Sequence, residues 1–573
     1  MSFRFCVLLL CSLFVTSACS ESGSGGVTPP LNELDVHYDT LGYTAHSASR
    51  GPGYLAFLVL EDSQGEDLNG DGDLEDSLPF VRFHATGETL SLRSTTRGAL
   101  YIAGAAQDAI VFLASEFDSG EDLNGDGDII DDVLHVYRTE TRVLHNTGLG
   151  VPHEVQEGVY EPYPEPFLTL EGDTLVFLVN ESQNNDDING DGDIDDSLVH
   201  FYDFTSNLVT VTKTEAFLHR RLLSEGTLLC GTWEKGVDLN GDEDGDDYVL
   251  TRIDYENGVY RTMEYGLALD RPFFPNVIAE GEGFSLVTLS EYHQGETDLN
   301  DDGDAIDRIL HTYIAKSDQL TNTFISMPVF PRVLVEGRFA LFTLEDGELM
   351  IFDADRGVVR SSGLHPWSIR GSMDLFGGGP PEGYVTVWLD EMIEKIDYNE
   401  DGDLEDRLPH LFDLERDRLI NLGYPGDLVS FDPDNVYLHA IEQDPLMGGD
   451  FNGDGDEEDV VIFRVDLETT DLELLPIEGF LFARMGQGVL ALTRRENEED
   501  WNEDGDHEDH ILFFYRHSDR SELNTRLAGR PGGVGDFGSD PLPVRVSEAD
   551  FGDLNGDGDE DLSTLILVHL EDL

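Results

Sequence analysis

The chain has 573 residues with 118 acidic side chains against 34 basic ones, a formal net charge of −84. A surface of that sign repels nucleic-acid phosphates and anionic lipid headgroups, and it favours cations or basic ligands. Hydrophobic residues nevertheless make up 39% of the chain and include 32 Phe, so a large core is expected and a disordered acidic tail is excluded.

Residues 1–18 read as a targeting segment. Arg4 gives a positive start, the apolar run from Phe5 to Val15 is too short to cross a bilayer as a mature helix, and small residues follow. The run Val15-Thr16-Ser17-Ala18-Cys19 resembles a bacterial lipoprotein lipobox, with Thr16 where Leu is commoner. That resemblance implies removal of 1–18, lipidation of the Cys19 sulfur, palmitate included, and anchoring in the membrane of the bacterial cell envelope, at the outer membrane or cell surface. An ordinary secretory signal cleaved near Ala18 is the alternative. Residues 19–33, with Gly and Ser prominent, are then a flexible tether, and 34–573 a single repeat domain. Of four cysteines the mature chain keeps Cys19 and Cys230, which excludes a disulfide framework; Cys230 follows Leu228-Leu229 and reads as a core thiol. Lysine occurs only at Lys213, Lys235, Lys316 and Lys395, as salt adaptation or genomic composition would each produce.

From residue 67 a decapeptide close to D-x-N-x-D-G-D-x-x-D occurs nine times. Its candidate ligands are Asp67, Asn69, Asp71, Asp73 and Asp76 in the first loop; Asp122, Asn124, Asp126, Asp128 and Asp131 in the second; and Asp187, Asn189, Asp191, Asp193 and Asp196 in the third. They are Asp238, Asn240, Asp242, Asp244 and Asp247 in the fourth; Asp298, Asn300, Asp302, Asp304 and Asp307 in the fifth; and Asp397, Asn399, Asp401, Asp403 and Asp406 in the sixth. The last three loops offer Asp450, Asn452, Asp454, Asp456 and Asp459; Asp500, Asn502, Asp504, Asp506 and Asp509; and Asp553, Asn555, Asp557, Asp559 and Asp561.

Oxygen donors at every second residue, with Gly at the sixth place for a sharp turn, let a short backbone wrap one hard cation. Ca²⁺ accepts six to eight oxygens this way, whereas Mg²⁺ prefers a hydrated octahedron. Clustered carboxylates also repel one another unless a cation sits among them. Up to nine Ca²⁺ ions are therefore expected. An EF-hand closes its site with a Glu at position 12, but that place is apolar here in eight loops, so the Asp at position 10, or Asp561 one place earlier in the ninth loop, is expected to close the site instead. Glu243 replaces the usual Gly of the fourth loop, which should bind most weakly. Position 2, from Leu68 to Tyr398, Phe451 and Trp501, reads as an apolar peg. Glu61, Glu116 and Glu181, each six residues before a loop, either complete the ligand shell or cap a strand. His135, His200, His311 and His410 share one place after their loops and read as strand-face packing ahead of a zinc or base function.

Each loop lies between two β-like runs, such as Leu55 to Leu60 before and Val133 to Tyr137 after, which makes a hairpin with the loop at its tip. The double-length gap between Asp298 and Asp397 contains the same two strands at Phe339 to Asp353, joined by Asp346-Gly347, and so holds a tenth repeat without a metal loop. Two further strand candidates flank each hairpin. Four short antiparallel strands per repeat make a propeller blade. The expected fold is all-β, a β-propeller of about ten four-stranded repeats in one large ring or two smaller ones. The last repeat lacks a strand, and Leu34 to Tyr38 is spare to supply it. Blade strands ending Phe201-Tyr202-Asp203, Ile351-Phe352-Asp353 and Leu411-Phe412-Asp413 resemble those of large bacterial β-propellers. The loops look like those of dockerins, thrombospondin type 3 repeats and the FG-GAP blades of integrin-type propellers.

No nucleophile elbow, zinc-protease helix motif, Walker loop or dinucleotide fingerprint occurs. The expected function is a calcium-stapled, membrane-anchored platform for binding, scaffolding or adhesion, with its protein or glycan partner unspecified and nucleic acid excluded. A calcium-dependent envelope hydrolase or lyase on polysaccharide or phosphate esters is one alternative, and a passive acidic spacer is another.

Overall fold

The computed structural model describes residues 37–569 with interruptions, among them 97–100, 104–107, 152–167, 216–225, 270–276, 371–382, 442–450, 452–459, 532–541 and 548–562. The targeting segment, Cys19 and the tether lie outside the described residues. So do Asp401, Asp504, Asp506, the seventh loop apart from Phe451, and the whole ninth loop.

The described strands form antiparallel meanders that repeat along the chain, in eight sheets of three or four strands and one of seven. The first unit pairs Ala45–Gly51, Tyr54–Leu60, Ser77–Phe83 and Glu88–Ser91 in sequence order, and four-stranded sheets of the same order recur along the chain. The second strands read as unbroken apolar runs, Tyr-Leu-Ala-Phe-Leu-Val-Leu in the first unit, with six of seven residues buried. Alternation is missing because neighbouring units cover both faces of each sheet. Ala56 and Leu58 share a cluster with Ile110 and Phe112 of the next unit, and Phe284 and Leu286 with Ala340 and Phe342. Leu567 of the last unit packs with Leu41, Ala45 and Leu55 of the first. Cys230 is buried in such a cluster, which pushes its thiol up to about 12. This is an all-β propeller.

The expected hairpin without a metal loop is present. Phe339–Thr343 pairs with Leu349–Asp353, and Gly347 takes a positive φ of 88° in the short turn between them. The last unit borrows strands from both sides. Gly529 to Pro531 extend the preceding unit's fourth strand and pair with Leu542–Ser547, which pairs with Ser563–His569. His37–Thr40 then adds antiparallel to Ser563–His569 as the fourth strand, overlapping the expected strand at His37 and Tyr38, while 34–36 lie outside the described residues. The sheet edge left by the chain's end is thus covered by its beginning.

Third strands carry a β-bulge against the fourth in six units, at Val133/His135, Leu198/His200, Val249/Thr251, Ile309/His311, Val461/Phe463 and Ile511/Phe513. Three of the four shared histidines sit at such a bulge. His135, His200 and His311 place Nδ1 at 3.0 to 3.1 Å from the carbonyl oxygen two residues back, and His410 makes the same contact at 3.0 Å. The Thr251 hydroxyl substitutes for the imidazole at 3.3 Å. Because the carbonyl accepts, Nδ1 carries the proton, and the Nε2 atoms of His200 and His410 are buried acceptors without a partner. Burial pushes both imidazoles down to about 4 and His439 to about 3.

These histidines fold neutral while the unfolded chain titrates near 6.5, so the stability they confer is complete above pH 6.5 and lost as pH falls toward 4. At pH 4 the loss approaches about 3 kcal/mol for each fully buried ring. In urea unfolding, wild type should therefore lose its advantage over His200→Asn between pH 7 and pH 4; a constant difference across that range would contradict the neutral assignment.

Candidate metal-binding loops

Every described loop sits between the second and third strands of its unit and is rooted by one buried glutamate. The residue directly after the second strand is Glu61, Glu116, Glu181, Glu234, Glu291, Glu391 or Glu496, all 2% exposed or less. Its N–H donates to the carbonyl of the tenth loop residue at 2.8 to 3.0 Å in all seven, which closes the loop like a clasp. Its Oε1 turns into the loop and accepts backbone N–H groups there. Leu68 and Asn69 donate to Glu61 at 2.5 and 3.1 Å, Leu123 and Asn124 to Glu116 at 2.6 and 3.1 Å, and Leu239 and Asn240 to Glu234 at 2.6 and 3.1 Å.

The second oxygen decides what the site is for. Oε2 of Glu61, Glu181, Glu391 and Glu496 is buried with no hydrogen-bond partner among the described residues. In Glu116, Glu234 and Glu291 it accepts only the N–H of Asp131, Asp247 and Asp307. Burying an unpaired carboxylate oxygen is costly. Around it converge the seventh- and tenth-position aspartates. Glu61, Asp73 and Asp76 bring one oxygen each within 4.8 Å of one another, and the same holds for Glu116, Asp128 and Asp131; Glu181, Asp193 and Asp196; Glu234, Asp244 and Asp247; and Glu291, Asp304 and Asp307. These triads can hold metal ions.

The first, third and fifth positions shape the backbone. Asp67 accepts from Gly70 and Gly72, Asn69 from Asp71, Asp71 from Asp73, and Asp73 from Glu75, a ladder of Asx turns that other loops repeat. The turn needs positive φ at positions 4 and 6, as at Gly70 and Gly72, with φ of 88° and 108°. Glu243 holds φ of 80° in the fourth loop, so it carries the strain that Gly avoids. The third-position amide donates to the tenth-position carboxylate, at 3.0 Å from Asn124 to Asp131 and 3.1 Å from Asn300 to Asp307. Position 2 is the apolar peg the sequence suggested. Trp501 meets Phe513, Phe451 meets Phe463, and Tyr398 meets His410 edge-on at centroid distances of 5.2, 6.0 and 4.4 Å.

Burial, reinforced by neighbouring carboxylates, pushes Asp76 and Asp131 up to about 7 and Asp247 to about 6. Burial also raises Asp307. Fully ionised, these groups would crowd negative charge into a desolvated spot.

Sequence reasoning left Glu61, Glu116 and Glu181 open and missed Glu234, Glu291, Glu391 and Glu496. The fixed feature is an acid at the strand end. Its distance to the loop varies: four residues from Glu234 and Glu496, six from Glu391 and seven from Glu291, according to the turn between. A second missed signal lies 24 residues after the loop start, where Asn146, Asn322, Asn421 and Asn524 on fourth strands donate to the position-2 carbonyl at 2.6 to 3.0 Å.

The next unit in the chain closes the open side of a loop. Asn124 donates to the Gln183 carbonyl and Asn240 to the His293 carbonyl, at 2.8 and 3.0 Å. His293 Nδ1 lies 2.6 Å from Asp247, and Lys235 Nζ lies 2.7 Å from Asp196.

No family model matches the chain, and no curated protein matches it. Among solved structures it is similar to the β-propeller domain of the Trilobed protease from Pyrococcus furiosus, at 10% identity over 65% of this chain and 95% of that one, with a TM-score of 0.28. It is similar also to Porphyromonas gingivalis dipeptidyl peptidase 4, at 9% identity over 90% and 66% of the chains and a TM-score of 0.36. TolB from Acinetobacter baumannii aligns at 8% identity over 60% and 75%, with a TM-score of 0.24. The strand order defines the class of protein, a β-propeller with acidic loops at its blade hairpins.

Proposed function

We propose that the loops bind Ca²⁺ as structural staples and that the stapled propeller serves as a binding or scaffolding platform on the bacterial cell envelope, lipid-anchored through Cys19. The observation that carries the calcium reading is the buried root glutamate, its second oxygen without a hydrogen-bond partner among the described residues in four of seven loops, and in five of the seven gathered with two loop aspartates. The donor set is all oxygen, which suits a hard cation and disfavours thiolate- or imidazole-seeking metals. A bound Ca²⁺ supplies charge neutralisation there. The protein's own residues do the rest: the root glutamate orients the loop backbone, the position-2 peg anchors it to the sheet, and the clasp to residue 10 holds both strand ends together.

Since every described loop joins the second strand of its unit to the third, the ions form a crown on one face in this reading. The platform is tested by capture from envelope extracts with the mature chain immobilised. A partner retained in 1 mM calcium and released by chelator is expected, and the same yield in both buffers would sink the calcium-dependent platform. The anchor is tested by labelling cells with palmitate analogue: label enters the wild-type chain and is lost in Cys19→Ala, whereas an unlabelled wild-type chain points to the ordinary secretory signal.

A further inference from the structure

The third loop differs from the first and second in what faces its carboxylates. Only four lysines occur in the whole chain, and two of them converge there. Lys235 Nζ lies 2.7 and 2.8 Å from the two oxygens of Asp196, 2.9 Å from Asp191 and 3.1 Å from Glu215. Lys213 Nζ donates to the Asn189 carbonyl at 3.0 Å. The tenth-position carboxylates of the first and second loops, Asp76 and Asp131, face no basic side chain among the described residues.

The local backbone explains the reach of Lys235. In the first three units the residues after the root glutamate form a one-turn helix, at Glu61–Gln64, Glu116–Ser119 and Ser182–Asn184. In the fourth unit a tighter turn replaces it: Val237 donates to the Glu234 carbonyl at 2.9 Å, Gly236 to the Gly245 carbonyl at 2.8 Å, and Lys235 takes φ of 45°. This turn directs the lysine back onto the preceding unit's loop. An ammonium with three donors satisfied by carboxylates at 2.7 to 3.1 Å occupies the oxygens that a Ca²⁺ ion would draw to about 2.3–2.6 Å.

The geometry points to a third loop held by a built-in cation: Lys235, tethered to the next blade, takes the place of calcium at Asp191 and Asp196 and staples the third and fourth blades without metal, with Asp193 and Glu181 Oε2 outside its contacts. This rests on the calcium reading of the other loops. It makes one blade junction independent of calcium, whereas the equivalent contact across the second loop, Asn185 to Asp126 at 3.2 Å, is an uncharged amide that leaves the need for a cation in place.

The test counts bound calcium by equilibrium dialysis of the full mature chain. Wild type should bind eight ions for its nine loops, and Lys235→Met should bind one more, whereas Lys235→Arg should bind as wild type does. Should Lys235→Met fail to fold, substitutions in the lysine-intact chain answer the same question: Asp128→Asn in the second loop lowers the count by one, and Asp193→Asn in the third leaves it unchanged. A loss of one ion in Asp193→Asn, or the same count in Lys235→Met as in wild type, overturns the proposal. No calcium in any chain would instead overturn the parent reading.

Discussion

Chelation should lower the melting midpoint of the mature chain by on the order of 10 °C while leaving most of its strand signal in far-ultraviolet circular dichroism intact at 20 °C. The size follows from linkage. Calcium modules of extracellular proteins bind at about 10⁻⁴ to 10⁻³ M, so at ~1 mM calcium a site with Kd near 0.1 mM contributes about 1.4 kcal/mol, and eight or nine independent sites on the order of 10 kcal/mol. Spread over a domain of this length, whose unfolding entropy is about 1 kcal/mol per kelvin, that is roughly a ten-degree shift. The loss begins at the hairpin tips, because the strands keep their ladders and apolar clusters without metal, whereas the root glutamates and tenth-position aspartates lose the charge that offsets their burial. A midpoint that is the same in calcium and in chelator would remove the structural role of the ion.

Glu61→Gln should change the sign of its effect with the buffer. In chelator the substitution is neutral or stabilising, by up to about 2 kcal/mol, because it keeps an amide oxygen for the Leu68 and Asn69 N–H groups and removes a buried carboxylate oxygen that has no partner. In calcium it is destabilising, because the loop no longer offers the negative charge that holds the ion. Glu61→Ala behaves differently: it strips both N–H groups of their acceptor and costs about 2–5 kcal/mol in either buffer. Urea unfolding of the three chains in both buffers reads this directly. If Glu61→Gln is destabilising by the same amount with and without calcium, the root glutamate serves only the backbone and is no part of a metal site.

A comparison of loops shows where the sequence was legible. The decapeptide places its own hydrogen bonds: alternate carboxylates form successive Asx turns, and glycine or its strained substitutes at positions 4 and 6 bend the chain. These are contacts within five residues and follow from residue type and spacing. The peg at position 2 was legible for the same reason, as an apolar residue in an otherwise acidic decapeptide. The tenth repeat at Phe339 to Asp353 was visible because strand pattern and turn chemistry recur there without the loop. His135, His200, His311 and His410 announced a shared position, but their shared contact to the carbonyl two residues back, at a bulge in the first three, appears only when third and fourth strands are paired.

What the sequence by itself determined is therefore local and periodic: an all-β meander of repeated hairpins, the acidic decapeptides at their tips and a spare strand ahead of the first hairpin. Tertiary structure decided which oxygens meet. The root glutamates stand four to seven residues from their loops, so no fixed spacing marks them, and they are defined by where a strand ends and which hairpin tip folds over it. The residues facing each loop from the next blade, Gln183, Lys235 and His293, lie about 40 to 60 positions from the groups they touch and share no motif, because packing between sheets selects partners by distance and charge while the repeat fixes only the sheet itself.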